Sequence, residues 1–244
     1  MMFMLLSVNF LYAQDSLKAV QGKFSTELNV NPFEGELSFN NAINQIKFRY
    51  FLSNQYALRL AINTDFKKNS NDEEMVYGTS PYNSEMTQKS GLIGINVGFE
   101  KHFTGTNRLS PYIGAEVFYA DKSASQKDKA SVNSQNIERE IKGAWFGYHQ
   151  IIDPWGDPVL VNNYSERGFS QFGLNLLAGF DFYIAKNFYF GYEMAFGYSS
   201  LKHKDIEVTI TPENDNDNLR PETDSKEMAF GAKLLNGIRL GFIF

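Results

Sequence analysis

The sequence predicts an all-β chain: an eight-stranded antiparallel up-and-down transmembrane β-barrel with short periplasmic turns and four long extracellular loops. Three observations predict it. Apolar and polar residues alternate at period two in eight separate segments, which places one set of side chains on each face of a strand. The connections between segments alternate between short and long, and the apolar face is opposed by Gly, Ala, amide and charged residues rather than by a second apolar set.

The first segment, Lys23 to Val30, sets Phe24, Thr26, Leu28 and Val30 against Lys23, Ser25, Glu27 and Asn29. The second, Gln45 to Leu52, directs Ile46, Phe48, Tyr50 and Leu52 outward against Gln45, Lys47 and Arg49. The third, Tyr56 to Phe66, opposes Tyr56, Leu58, Leu60, Ile62 and Phe66 to Ala57, Arg59, Ala61, Asn63 and Asp65. In the fourth, Ile93, Ile95, Val97 and Phe99 oppose Gly94, Asn96, Gly98 and Glu100. The fifth sets Ile113, Ala115, Val117 and Tyr119 against Gly114, Glu116 and Phe118. The sixth sets Phe172, Leu174, Leu176, Ala178, Phe180 and Phe182 against Gly173, Asn175, Gly179 and Asp181. The seventh sets Phe188, Phe190, Tyr192, Met194, Phe196 and Tyr198 against Gly191, Glu193, Ala195 and Gly197. The last, Met228 to Phe244, sends Phe230, Ala232, Leu234, Ile238, Leu240, Phe242 and Phe244 outward, and Gly231, Lys233, Gly237, Arg239 and Gly241 inward.

Each segment matches a tilted membrane-crossing strand of roughly 9 to 11 residues. Short connections fall at Ser53 to Gln55, Thr104 to Ser110 and Ala185 to Asn187; long polar ones at Asn31 to Asn44, Lys67 to Ser90, Asp121 to Ser170 and Ser199 to Glu227. Aromatic residues collect at the segment ends, with Tyr50, Tyr56, Phe103, Tyr112, Tyr183 and Phe188 near the short turns and Phe66, Tyr119, Phe172, Tyr198 and Phe230 near the long loops. They are expected to form two interfacial girdles.

Composition narrows the function classes. With 244 residues, 22 Phe, 13 Tyr and a mean hydropathy of -0.35, the chain is too polar for a bundle of membrane helices. A net charge of -5 and no evident basic patch argue against nucleic acid. The absence of cysteine removes disulfides, thiolate metal sites, a Cys nucleophile and a lipidated Cys. Residues 1–13, MMFMLLSVNFLYA, read as a signal peptide that lacks the usual positive n-region, which suggests an atypical signal or a start placed upstream of the true one. Residues 14–22 then form a short periplasmic segment and 23–244 the barrel.

The final strand, with Leu240, Phe242 and the terminal Phe244, is similar to the C-terminal assembly signal of Gram-negative outer-membrane proteins. The stretches Lys47-Phe48-Arg49-Tyr50-Phe51-Leu52-Ser53-Asn54-Gln55-Tyr56-Ala57-Leu58-Arg59 and Pro111-Tyr112-Ile113-Gly114-Ala115-Glu116 resemble the OmpA/OmpX-like eight-stranded barrels, particularly those of Bacteroidetes. The resemblance covers nearly the whole mature chain and implies an architecture without a specific chemistry. With the barrel taking 23–244, the peptidoglycan-binding domain that OmpA-like proteins carry is not expected within these residues.

Two groups of residues are candidates for function. The first is the inward charge set: Lys23, Lys47, Arg49, Arg59, Lys233 and Arg239 against Glu27, Asp65, Glu100, Glu116, Asp181 and Glu193. Six of each sign predict a salt-bridged, closed interior, because buried charges persist only when paired or hydrated. The second is the third long loop, whose Trp145, Phe146, Tyr148 and Trp155, with Ile141, Ile151, Ile152, Val159 and Leu160, are unusually apolar. It is expected to extend the adjoining strands as a hairpin turning near Asp153 to Pro158, to fold over the mouth, or to meet a partner. His102, His149 and His203 have no metal-site spacing; His203 near Ser199, Ser200, Asp205 and Glu207 is the one arrangement imitating a catalytic triad. Glu213 to Asn218 form an acidic run without the spacing of an EF-hand.

The expectation is therefore a porin-like but non-enzymatic surface barrel, without cofactor, metal or catalytic residue, whose loops bind at the cell surface and whose barrel is an anchor. Expected partners are outer-membrane lipid and lipopolysaccharide, the assembly machinery during insertion, and another outer-membrane or surface protein. Alternatives are an accessory subunit of a larger outer-membrane complex, a narrow small-solute channel, and a lipid-modifying enzyme.

Overall fold

A computed structural model describes residues 17–30, 43–77, 80–132, 135–152, 158–212, 225–234 and 238–244. The signal segment, Trp155 and the acidic run 213–218 lie outside them. The strands are β1 (Phe24–Val30), β2 (Ile43–Phe51), β3 (Tyr56–Tyr77), β4 (Ser80–His102), β5 (Leu109–Val132), β6 (Gln135–Lys142), β7 (Trp145–Ile152), β8 (Pro158–Ser165), β9 (Phe169–Ala185), β10 (Phe188–His203), β11 (Glu207–Thr211), β12 (Lys226–Leu234) and β13 (Ile238–Ile243). Every pairing is antiparallel.

Eight strands close into a ring in the order β1, β2, β3, β4, β5, β9, β10, β13 and back to β1. The closing seam is direct, with Thr26 opposite Phe242 and Leu28 opposite Leu240. Period-two alternation explains both faces. Phe66, Ile93, Val117, Phe172 and Phe196 stay exposed on the outside, while Lys47, Arg49, Arg59 and Glu100 are buried inside. At the short-turn ends, the Ser53 hydroxyl accepts from the backbone N–H groups of Gln55 and Tyr56, both at 3.2 Å. Asn187 turns the β9–β10 hairpin at φ 72, a conformation Asn tolerates.

The expected last strand, Met228 to Phe244, is two strands. β12 lies beside the upper half of β10 (Met194 opposite Leu234) and β13 beside the lower half (Phe188 opposite Phe242). The expected loop Lys67 to Ser90 is a ladder, continuous from Lys67 opposite Ser90 to Tyr77 opposite Ser80. Likewise β5 runs on to Val132 and pairs with β6, which pairs with β11. In the β3–β4 extension, Lys67 to Glu74 and Asn83 to Ser90 are largely polar on both faces and alternation is weak there, yet ladder hydrogen bonds need only backbone. The result is a wall, β3–β4–β5–β6–β11, rising beyond the ring.

Two buried apolar clusters flank the interior. At the short-turn end, Ala19 packs with Phe51, Ala57, Tyr183, Tyr189 and Ile243, with Leu17 against them. Residues 17–22 are held there by Gly22 N–H donating to the Phe51 carbonyl at 2.8 Å and by Lys18 Nζ on the Thr104 carbonyl. The second cluster, Ile141, Ala144, Phe146 and Ile206, lies on the wall. Gly143 makes its sharp turn at φ 90, where an added Cβ would strike the Asp205 carbonyl.

Candidate functional site

The inward-facing positions of the ring bring nine charged side chains together: Glu27, Lys47, Arg49, Arg59, Glu100, Glu116, Asp181, Glu193 and Arg239, each 5% exposed or less. Arg49 and Arg59 stand directly opposite each other on β2 and β3, a repulsive cross-strand pair in isolation. Glu100 on the next strand resolves it, placing one oxygen 2.9 Å from Arg49 Nη1 and the other 2.9 Å from Arg59 Nη1.

Each cation is shared among carboxylates. Arg49 also reaches Asp181 at 2.9 Å and Glu27, and lies near the rings of Phe51, Tyr112 and Tyr189. Arg59 forks onto Glu193 at 2.9 and 3.0 Å and meets Glu116 at 3.0 Å. Lys47 sits 3.3 Å from Glu193 and 3.5 Å from Glu27. Arg239 closes the circuit through Glu27 at 3.0 Å and Asp181 at 3.2 Å, and donates to the carbonyls of Phe180 and Tyr192. Asn96 and Asn175 donate to Glu116 at 2.9 and 3.0 Å. Buried charges are costly to desolvate, and sharing every partner is what makes the set tolerable.

Several interior members are absent from the charge pattern read in the sequence. The Tyr189 hydroxyl lies 2.7 Å from Glu27 and accepts from Arg49 Nη2 at 2.8 Å; the Tyr112 hydroxyl donates to Glu193. Gly241 makes room for Tyr189, since a Cβ there would strike the ring's Cζ. His102 links Ser110, 3.0 Å from Nδ1, with Glu100, 3.2 Å from Nε2. Tyr112 and Tyr183 are buried, so neither belongs to an interfacial girdle. Their parity was the usable signal, because each is out of phase with the outward residues of its strand.

Three inward expectations are corrected or lie outside view. Lys23 precedes β1 and is exposed, and Asp65 lies above the filled part of the ring, where it pairs with Lys67 at 3.4 Å. Lys233 stands opposite Ala195, and its side chain is outside the described residues.

The third long connection lengthens one of its two ring strands well beyond the ring, β5, which continues to Val132. Its β7–β8 hairpin is a separate two-stranded sheet, from Trp145 opposite Ser165 to Ile152 opposite Pro158. Trp145 and Phe146 are buried, so neither is free to face a partner. Trp145 Nε1 donates to the Lys89 carbonyl at 2.9 Å, and Phe146 N–H to Gln126 at 2.8 Å. Tyr148 lies opposite Asn162, with its side chain outside the described residues. Leu240, Phe242 and Phe244 remain on the outward face. His203 lies 3.3 Å from Glu227, while Ser199 and Ser200 are buried. No group of metal-ligating side chains occurs among the described residues.

A family model described as "Putative OmpA-OmpF-like porin family" matches residues 33–207, a span from before β2 to the start of β11. The chain belongs to this family. No curated protein and no solved structure matches it. Membership in a porin-like outer-membrane family accords with an all-β chain whose apolar side chains face out.

Outside the ring, smaller ion pairs order the connections. Glu166, at φ 48 between β8 and β9, is held below the usual carboxylate range by its hydrogen bond from Lys122 at 2.5 Å, with Lys67 at 3.6 Å adding to the effect. Asp121 accepts hydrogen bonds from Lys204 at 2.7 Å and Ser170 at 2.8 Å.

Proposed function

We propose that the protein is an integral eight-stranded up-and-down β-barrel of the bacterial outer membrane, non-enzymatic, acting as an anchor that holds its long hairpins at the cell surface. The single observation that carries this reading is the inverted polarity of the ring. Phe24, Leu58, Ile95, Val117, Leu176 and Phe242 are exposed while Arg49, Glu100, Asp181 and Glu193 are buried. In water this arrangement would expose the apolar set and desolvate the charges together; in a bilayer the lipid covers the outside. Short turns then face the periplasm and the wall faces out.

The interior favours a closed anchor over a channel. An eight-stranded ring is barely wide enough for its own side chains, and here those side chains are cross-linked by ion pairs from all sides. The test is conductance of purified, refolded protein in a planar bilayer. The expected result is no discrete steps while a gel shift between unboiled and boiled samples reports the folded barrel. Reproducible steps abolished by boiling would overturn the closed reading in favour of a narrow solute channel.

A further inference from the structure

The polarity of the wall reverses along its own strands. On the outward face the last apolar rung is Phe66, opposite Gly91 and then Ser123. Two residues further, about 7 Å along the strand, the next outward rung reads Lys68, Lys89, Ser125, Lys142 and Glu207 across β3, β4, β5, β6 and β11. Lys68 and Lys89 are both exposed and directly opposed, on neighbouring strands, where like charges destabilise the sheet.

The contrast with nearby lysines is what gives this rung meaning. One and two rungs higher on the same face, Lys127 pairs with Glu138 at 2.5 Å and Lys129 with Glu85 at 3.7 Å. On the opposite face, Lys67 meets Asp65 at 3.4 Å and Glu166 at 3.6 Å. The ammonium groups of Lys68 and Lys89 have no ion pair or hydrogen bond among the described residues. Both border a polar depression of about 370 Å³ that Thr87, Ser125 and Lys127 also line, with Glu85 and Glu140 as its acids and Lys129 as its fourth lysine.

We infer that Lys68 and Lys89 form a docking site for the phosphate of lipid headgroups in the membrane leaflet beside the wall, with the Ser125 hydroxyl and Lys127 next to it. A phosphate between the two ammonium groups removes their mutual repulsion, and the exposed Phe66 ring below meets the lipid's apolar part. The site rests on the barrel reading, since only then does this face border lipid.

The test titrates the full-length, detergent-solubilised protein with lipid A bearing its phosphates, with dephosphorylated lipid A, and with inorganic phosphate, counting bound lipid by native mass spectrometry. Wild type should prefer the phosphorylated lipid by roughly thirtyfold, from two lysines near a charged lipid surface. K68Q/K89Q should lose that preference, K68R/K89R should keep it, and K67Q, on the other face, should match wild type. Equal binding of the two lipids by wild type, or an undiminished preference in K68Q/K89Q, overturns the inference. Inorganic phosphate competing at the lipid's own concentration also overturns it, by showing a free-anion site. Insertion into vesicles is measured first: failure to insert refutes the barrel reading, whereas insertion without phosphate preference refutes only the lipid site.

Discussion

Replacing Arg49 by Met is the sharpest probe of the interior. Arg49 is wholly buried and serves Glu27, Glu100 and Asp181 at once, so its loss leaves five described interior carboxylates facing three cations. None of the three is stranded, however. Glu100 keeps Arg59 at 2.9 Å, Asp181 keeps Arg239 at 3.2 Å, and Glu27 keeps Arg239 at 3.0 Å and Lys47 at 3.5 Å. The cost is thus that of breaking one buried pair, about 3–5 kcal/mol, rather than three. Met retains most of the volume against Phe51, Tyr112 and Tyr189, so little is added for a cavity. A loss of about 4 kcal/mol is a change of roughly a thousandfold in the folded-to-unfolded ratio. The assay is urea unfolding of both proteins in the same vesicles, followed by the gel shift between unboiled and boiled samples. Adding E100Q to R49M should recover part of the loss, because Arg59 still holds Glu193 and Glu116. If R49M costs less than about 1 kcal/mol, or if E100Q deepens the defect, the uncompensated charge is not what holds the interior together.

Two further outcomes follow from the same geometry. G241A should destabilise by about 1–3 kcal/mol, because the new methyl enters the space of the fully buried Tyr189 ring; combining it with Tyr189→Ala should cost less than the two separate losses added, and strict additivity would show that the two positions do not touch. The Glu166 carboxyl is depressed by Lys122 and Lys67, so its ordering of the β8–β9 connection is present above the unfolded value of 4.5 and fades as pH falls through the lower folded value. Amide exchange at 166–168 should therefore quicken below about pH 4.5 in wild type and show no such step in E166Q; equal pH profiles would break the link.

How much of this was legible depended on what surrounds each strand. In the ring, an exposed apolar face on one side and a crowded charged interior on the other go with strict alternation, so Phe48, Leu58, Val97 and Leu176 announced their face. On β3 above the ring, Asn69 to Glu74 are exposed on both faces and no pattern is forced, so they read as loop although each residue is paired. Residue type also misled where phase would not have. Tyr112 and Tyr183 are aromatics near strand ends, the usual profile of a girdle, yet they sit in phase with Glu116 and Asp181 and are buried with them. His102 shares the parity of Glu100 and belongs to its network for the same reason. The pairing of charges was beyond reach, because who meets whom depends on register, and Arg49 opposite Arg59 looks unfavourable until Glu100 is placed between them.

The reversal of polarity along β3, β4 and β5 ties these observations into one physical statement. Below the Phe66 rung the apolar side chains point away from the ring axis and the charges toward it. Above it, Ile141 and Val208 share a rung with Gln126 on the axial side and pack with Phe146 and Ile206, while Lys68, Lys89 and Lys127 take the outer side. A continuous strand cannot change its pleat, so only the residues can change, and they change where the outside changes from apolar to aqueous. A polar substitution is therefore tolerated on opposite faces at the two levels: V97N, below the rung, should impair insertion, whereas T87N, ten residues along the same face of the same strand, should not. Equal insertion yields for the two variants would mean that the Phe66 rung marks no boundary between media.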